Sequence, residues 1–405
     1  MTKHLARQRL VYAVVLGLLA ALGPLCTDLY LPALPEMAGE LNTSTAAAQL
    51  SLTAGLLGLG VGQLIFGPYS DKLGRMRPLL LSLILLLGAS LWCALAPTID
   101  QLLIARLLQG IAGAGGAVIS RAIARDLYAG HELTRFFALL MLVNGLAPIV
   151  APVLGGVMLQ VMNWRGIFGV LAAIAVLLFS LSALKLRESL PVERRSQGGI
   201  LAMLMSLGGL LTQRYFMGLC LTQGFVMAGM FAYIGASPFV LQQIYGLSPQ
   251  MFSLCFAING VGLIIAAQLA SRLSSRWGER RVLRGGLTLA AVASLLLLLA
   301  AALHAPLVVL LVPLFFSVAV IGIVGPTASS LAMQSQGDKA GSASALIGVC
   351  MFALGACAVP LTGLGGTSGL SMALTIVAVT PSPSCCSACW PAAARHNAPN
   401  KKPAQ

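Results

Sequence analysis

The stretch "GPYSDKLGRMRP", Gly67 to Pro78, decides the fold of this chain. It separates two apolar runs, at about 46–68 and 79–97. A bilayer-crossing helix needs about 20 mostly apolar residues, so each run can span. Gly67 and Pro68 are expected to break the first helix, because proline removes a backbone donor and crowds the preceding turn. Gly74 permits a tight turn. Lys72, Arg75 and Arg77 fix the turn on the cytoplasmic face, where lysine and arginine accumulate. Asp71 can reach the N-terminus of a neighbouring helix or a cationic partner. A weaker copy, "SRLSSRWGERR", follows the run at 249–271, with Ser275 where the acid would fall. Gly74 pairs with Gly278, and Pro152 of "APVLGG" pairs with Pro360 of "VPLTGL", at nearly the same offset of about 200 residues.

Outward from that stretch, apolar runs recur along the whole chain. They lie near 10–34, 46–68, 79–97, 101–123, 136–159, 167–185, 215–240, 249–271, 282–303, 306–333, 342–364 and from 367 onward. The 405 residues are 58% hydrophobic and 9% charged, against about 25% charged in soluble domains. The expected class is an all-α polytopic membrane protein of twelve spans, the last of them incomplete. The runs are too long and continuous for the alternating strands of a β-barrel. The net charge of +14 does not point to nucleic acid, because the basic residues form short clusters between apolar runs. With the N-terminus inside, every lysine and arginine except Arg106 and Arg165 falls at the cytoplasmic side. The first run is too long for the apolar core of a cleaved signal, and no clear cleavage site follows it. Cys26, Cys93, Cys220, Cys255, Cys350 and Cys357 lie singly in apolar segments and read as small packing residues, without metal-ligand spacing.

The longest polar break, "LRESLPVERRSQGG", divides the chain into a six-helix bundle at 1–185, a cytoplasmic linker at 186–212 and a second bundle at 213–380. Two related six-helix halves are the pattern of a secondary transporter with its site between them. The segment 381–405 is atypical. After "GLSMALTIVAV" comes "TPSPSCCSACWPAAARHNAPNKKPAQ", which interrupts the run after about eleven apolar residues. Two readings remain open: a shifted reading frame or altered end from near Thr380, and a kinked twelfth helix to about Pro391 with a loose tail.

Two ionisable residues sit clearly inside spans: Asp28 in "CTDLYLPALP" and Arg106 in "RLLQGIAGAGG". A charge at membrane depth costs roughly 2.5–3.5 kcal/mol on insertion scales, and it usually marks a pathway or site. Counted from the nearest span end at about 1.5 Å per residue, both lie about 8 Å below the outer surface. They can therefore share a cavity. One reading is a protonatable acid exchanging a proton for a substrate; the other is a static ion pair or a hydrated interfacial acid.

The Gly67–Pro78 stretch resembles the loop signature of the major facilitator superfamily, G-x-x-x-D-[RK]-x-G-[RK]-[RK], with Met76 in place of a basic residue. "RLLQGIAGAGG" is similar to that family's fourth-span motif, with Ala112 at its last glycine. "APIVAPVLGG" is similar to the fifth-span antiporter motif, keeping Pro152, Gly155 and Gly156 and replacing two glycines with Ala147 and Ala151. The segments "TDLYLPALPEMA", "RAIARDLYAG", "NWRGIF" and "YIGASPFVLQQIYGLSP" resemble the bicyclomycin and chloramphenicol resistance branch of drug:proton antiporters. The resemblance implies a monomeric multi-pass transporter of the bacterial inner membrane. It would export drug-like molecules against protons, with the proton gradient as energy source and without cofactor, metal or nucleic acid. It implies Asp28 and Arg106 as the proton- and substrate-linked pair, and Asp71 and Arg75 as the inner gate. Tyr30, Gln109, Asn144, Tyr233 and Asn259 are candidate cavity-lining residues, each with a packing role as the alternative. A proton-coupled exporter of a metabolite such as an amino acid or sugar is the competing function. An integral-membrane enzyme would need a His, Asp, Glu or Cys cluster at one face, and outside the tail the sequence has none.

Overall fold

The structure is a computed structural model. It describes residues 2–128, 130–195, 208–334, 336, 340–363, 366 and 368–382. Among these residues, ten helices are long and apolar enough to cross a membrane, and Leu146–Met158 and Gly369–Val379 are shorter apolar helices. The chain is an all-helical polytopic membrane protein. The expected tail lies outside the described residues from position 383 on.

The helices follow the apolar runs but overshoot them, because a helix can continue into the interface once its backbone bonds are made. Span two is the helix Thr45–Leu73, span four Ile99–Leu127, span eight Pro249–Trp277 and span nine Glu279–Ala302. Spans two, four, six, eight and twelve start on side-chain caps. Ser44, Asn163 and Ser248 accept from the backbone N–H three residues on, at 3.2 Å each. Ser368 and Ser371 form a reciprocal capping box at the start of span twelve. Each cap satisfies a helix donor that lipid cannot.

Two proline expectations fare differently. Span one is helical over Thr2–Asp28, then turns through Leu31–Ala33 before resuming at Leu34–Glu40. Pro32 explains the stop: its ring crowds the carbonyl four residues back, which is that of Asp28. The break expected at Gly67-Pro68 does not occur. Span two runs through Pro68 for a further turn and a half and ends at Gly74, whose φ is +89°. The carbonyl that Pro68 frees is that of Leu64, inside the helix, and the helix carries on past it; the left-handed glycine is the true stop.

Spans two and four pack backbone against backbone: a Cβ on Gly58 would collide with the Leu107 carbonyl. Gly322 in span ten meets the Leu263 carbonyl of span eight in the same way. Such close approach needs small residues on both faces. The first six spans pack among themselves, as do the last six, and spans two with eleven and five with eight join the sets. Hydrogen bonds across this joint gather at the end remote from the N-terminus. Gln49 Nε2 donates to the Gly235 carbonyl at 3.1 Å, and Gln242 Nε2 to that of Pro32 at 3.1 Å. Gln250 Nε2 donates to the Gly156 carbonyl at 3.0 Å. Long apolar side chains such as Leu81, Ile84, Val292 and Leu296 remain outward, as a lipid-facing surface requires.

Candidate functional site

The break in span one builds the central site. It leaves Asp28 as the last residue of its helix and frees nearby carbonyls from helical bonding. Arg106, on span four, fills that gap and is 1% exposed. Its Nη1 donates to the Cys26 carbonyl at 2.7 Å and to Gln109 Oε1. Its Nε donates to the Ser51 carbonyl at 3.3 Å. Its guanidinium carbon lies 4.2 Å from the Tyr30 ring centroid and 5.7 Å from that of Phe168. Guanidinium stays protonated in proteins, so these neutral acceptors and ring faces replace its lost water.

Asp28 is 5% exposed. It lies within electrostatic reach of Arg106 and beside Thr27. The ion pairs among the described residues, taken at 4 Å or less, do not include Asp28 with Arg106. The two expected partners share one site without forming a salt bridge. Arg106 Nη2, buried against Gly55, has no hydrogen-bond partner.

Two expected lining residues belong to this cluster. Gln109 takes the Arg106 bond on its oxygen and donates from Nε2 to Ser90 Oγ at 2.8 Å. The Tyr30 hydroxyl lies 3.1 Å from Ser51 Oγ, whose own proton goes to the Ala48 carbonyl at 2.7 Å, so Tyr30 is the donor. Tyr233 and Asn259 hold each other in the other half: Asn259 Nδ2 donates to the Tyr233 hydroxyl at 2.9 Å. The Asn144 side chain lies outside the described residues.

The fifth-span motif touches both neighbours of the site. A Cβ on Gly155 would strike the Leu29 carbonyl, one residue beyond Asp28. The Pro152 carbonyl accepts from Ser253 Oγ of span eight at 2.8 Å, and Gly156 packs on the same serine.

The loop between spans two and three forms a second cluster. Arg75 is buried; its Nε donates to Asp126 Oδ2 at 2.8 Å, and its Nη1 donates to Ser70 Oγ at 2.9 Å and to Asp71. Burial works against its charge, yet the bonds to Asp126 and Asp71 outweigh it and raise the Arg75 pKa. Glu188, from the segment after span six, accepts from the backbone N–H groups of Arg75 at 2.8 Å, Met76 at 3.1 Å and Leu190 at 3.0 Å. Partial burial pushes the Glu188 pKa up, but these donors and Arg195 together bring it below the usual range. Gly74 is needed twice, for its positive φ and because a Cβ would sit 2.6 Å from Glu188 Oε2. Lys72 is exposed.

Sequence reasoning missed the partners Ser51, Cys26, Ser90, Phe168, Asp126 and Glu188. Asp126 carried a visible signal, an acid at the end of span four; the carbonyl acceptors carried none.

A sequence profile of the Major Facilitator Superfamily matches residues 16–360. The chain belongs to the major facilitator superfamily. It is 45% identical to the "Uncharacterized MFS-type transporter YdgK" of Bacillus subtilis (strain 168), over 90% of this chain and 92% of that one. It is 30% identical to the "Bicyclomycin resistance protein homolog" of Haemophilus influenzae, over 85% and 87% of the two chains. Its fold matches the crystal structure of a D-xylose-proton symporter with a TM-score of 0.72 at 16% identity, covering 94% of this chain and 97% of that one. The protein is thus a multi-pass secondary transporter of a small molecule, not an enzyme, and the clusters above lie in a major-facilitator scaffold.

Proposed function

We propose that the protein exports amphipathic, drug-like molecules in exchange for protons, from a bacterial inner membrane with its N-terminus inside. The similarity to a bicyclomycin resistance homologue supports the substrate class. One geometric observation carries the coupling: Asp28 is buried beside a permanent cation that is held by carbonyls and rings instead of by Asp28. A carboxyl in that position can lose and regain its proton without breaking a salt bridge. Protonation from outside would release the substrate, and deprotonation toward the cytoplasm would restore the loading state, as the halves rock about the site. The joint at the end remote from the N-terminus is closed here, so the reading assigns this form to loading from the cytoplasm. Asp71 and Arg75 would then act at the inner gate.

The test is substrate-induced proton release from purified protein in detergent, with drug binding measured in parallel. The parent should release protons on binding a hydrophobic drug, and Asp28→Asn should bind without release. Equal release from both forms would sink the role of Asp28.

A further inference from the structure

Arg106 can only donate hydrogen bonds. The side chain of Gln109 must therefore turn its oxygen to Arg106 Nη1, and its NH2 group must face elsewhere. The two ends of a glutamine amide have nearly the same shape, so packing cannot choose between them. Arg106 makes the choice, and Ser90, on span three, receives the other end: its Oγ accepts from Gln109 Nε2 at 2.8 Å. Ser90 and Gln109 are both fully buried, so water does not reach the pair to take over this task.

We propose that Ser90 is a positioning residue which, through Gln109, keeps Arg106 on neutral acceptors and out of an ion pair with Asp28. Ser90 touches neither charge. Without its hydroxyl, the Gln109 NH2 becomes a buried donor with no acceptor, which is a costly state. The Gln109 side chain is then free to leave this rotamer for another acceptor, and its oxygen leaves Arg106 with it. Arg106 Nη1 loses one of its two acceptors, while Nη2 already lacks one. The carboxylate of Asp28 is the charged acceptor within electrostatic reach, and the guanidinium moves onto it. The other titratable groups around the pair are Cys26 and Tyr30 from span one and its turn, and Cys93 from span three. None of these offers a carboxylate in competition.

The functional consequence rests on the reading of Asp28 as the coupling acid: an Asp28 locked to Arg106 would no longer exchange its proton freely. The positioning itself is testable without transport. Thermal unfolding of the purified full chain at pH 8.5 is compared for the parent, Ser90→Ala, Asp28→Asn and the double variant. Asp28→Asn should shift Tm little in the parent, where no ion pair exists. It should lower Tm by about 3 °C more in the Ser90→Ala background, where one has formed. Gln109→Leu should show the same coupling to Asp28, and Ser90→Thr should restore the parent behaviour. If Ser90→Ala does not fold, Ser90→Cys gives the same cycle with a weak acceptor in place of the hydroxyl. Additive Tm changes for both the serine and the glutamine variants would overturn the proposal. An additive cycle with proton release still abolished by Asp28→Asn would overturn this proposal alone and leave the antiport reading standing.

Discussion

The loop after span two and the loop after span eight occupy the same place in the two halves, yet opposite chemistry holds them. In the first, a cation opens the next helix: Arg75 bonds Asp126 at the end of span four. In the second, an acid opens it: Glu279 accepts from Ser330 Oγ at 2.7 Å and from Gln334 Nε2 at 2.6 Å, both at the end of span ten. The turn survives in both copies, with Gly74 at φ +89° and Gly278 at φ +82°. What differs is the charge. Glu279 sits favourably in the first turn of its helix, where the backbone dipole is positive, and its hydrogen bonds among the described residues come from neutral groups. Arg75 sits against that dipole and depends on two carboxylates, Asp126 and Asp71. The linker acid Glu188 caps the backbone of the first loop, and nothing comparable is described at the second. The turn is the shared scaffold, and among the described residues the ion pairs at these two loops, an ionic latch, are those of Arg75 in the first half.

The largest effect expected from this difference is that of Arg75→Ala. Breaking a buried pair by removing one partner costs about 3–5 kcal/mol, and Asp126 is 16% exposed, so the low end applies. Tm of the detergent-purified protein should fall by several degrees, and drug transport in proteoliposomes at least tenfold. Arg75→Lys should recover little. The guanidinium serves Asp126, Asp71 and Ser70 from three different nitrogens, a geometry that a single ammonium does not reproduce. Full recovery with lysine would reduce the latch to a simple charge effect.

Glu279→Gln should do less. The substitution keeps size and one acceptor oxygen, but its NH2 would face Ser330 or Gln334. The loss is roughly one hydrogen bond, about 1 kcal/mol. Transport should stay within about fivefold of the parent, since 1 kcal/mol corresponds to about a fivefold factor. If Glu279→Gln costs as much as Arg75→Ala, the two loops are equal partners and the contrast between them fails.

How much of this was legible beforehand differs along the chain. The spans were, because the bilayer demands long apolar runs and leaves no alternative to a helix. Asp28 and Arg106 were, because a charge inside such a run is rare. The proline outcomes were not: Pro32 ends a helix and Pro68 is carried within one, although each withholds the same backbone donor. The surroundings of Arg106 were hidden as well. Its acceptors include the main chain of Cys26 and Ser51, and a carbonyl leaves no mark in a sequence. Glu188 was hidden by distance, and so was the pairing of Asp126 with Arg75, since only the fold brings the two acids to Arg75. The copy after span eight looked merely degenerate at Ser275. Its acid stands instead at Glu279, and Ser275 turns back onto its own helix through the Arg272 carbonyl at 2.7 Å.

The smallest effect concerns pH and isolates the tie between linker and loop. The Glu188 pKa is lowered on folding. A carboxyl of this kind adds stability above its unfolded value, about 4.3, and that contribution is lost as the pH falls through the lower folded value. The group is exposed, so solvent screening keeps the effect modest. Hydrogen exchange reads it locally. Corrected for intrinsic rates, protection of the Arg75 and Met76 amides should fall roughly threefold on acidification from pH 7 to below 4. Glu188→Gln at pH 7 should reproduce that fall, because an amide keeps one acceptor oxygen where the carboxylate offered two. The amides of Glu279 and Arg280, at the same place in the second half, should not respond to Glu188→Gln. If all four amides shift together, the loops are coupled through the whole bundle, and the latch is not a local property of the first half.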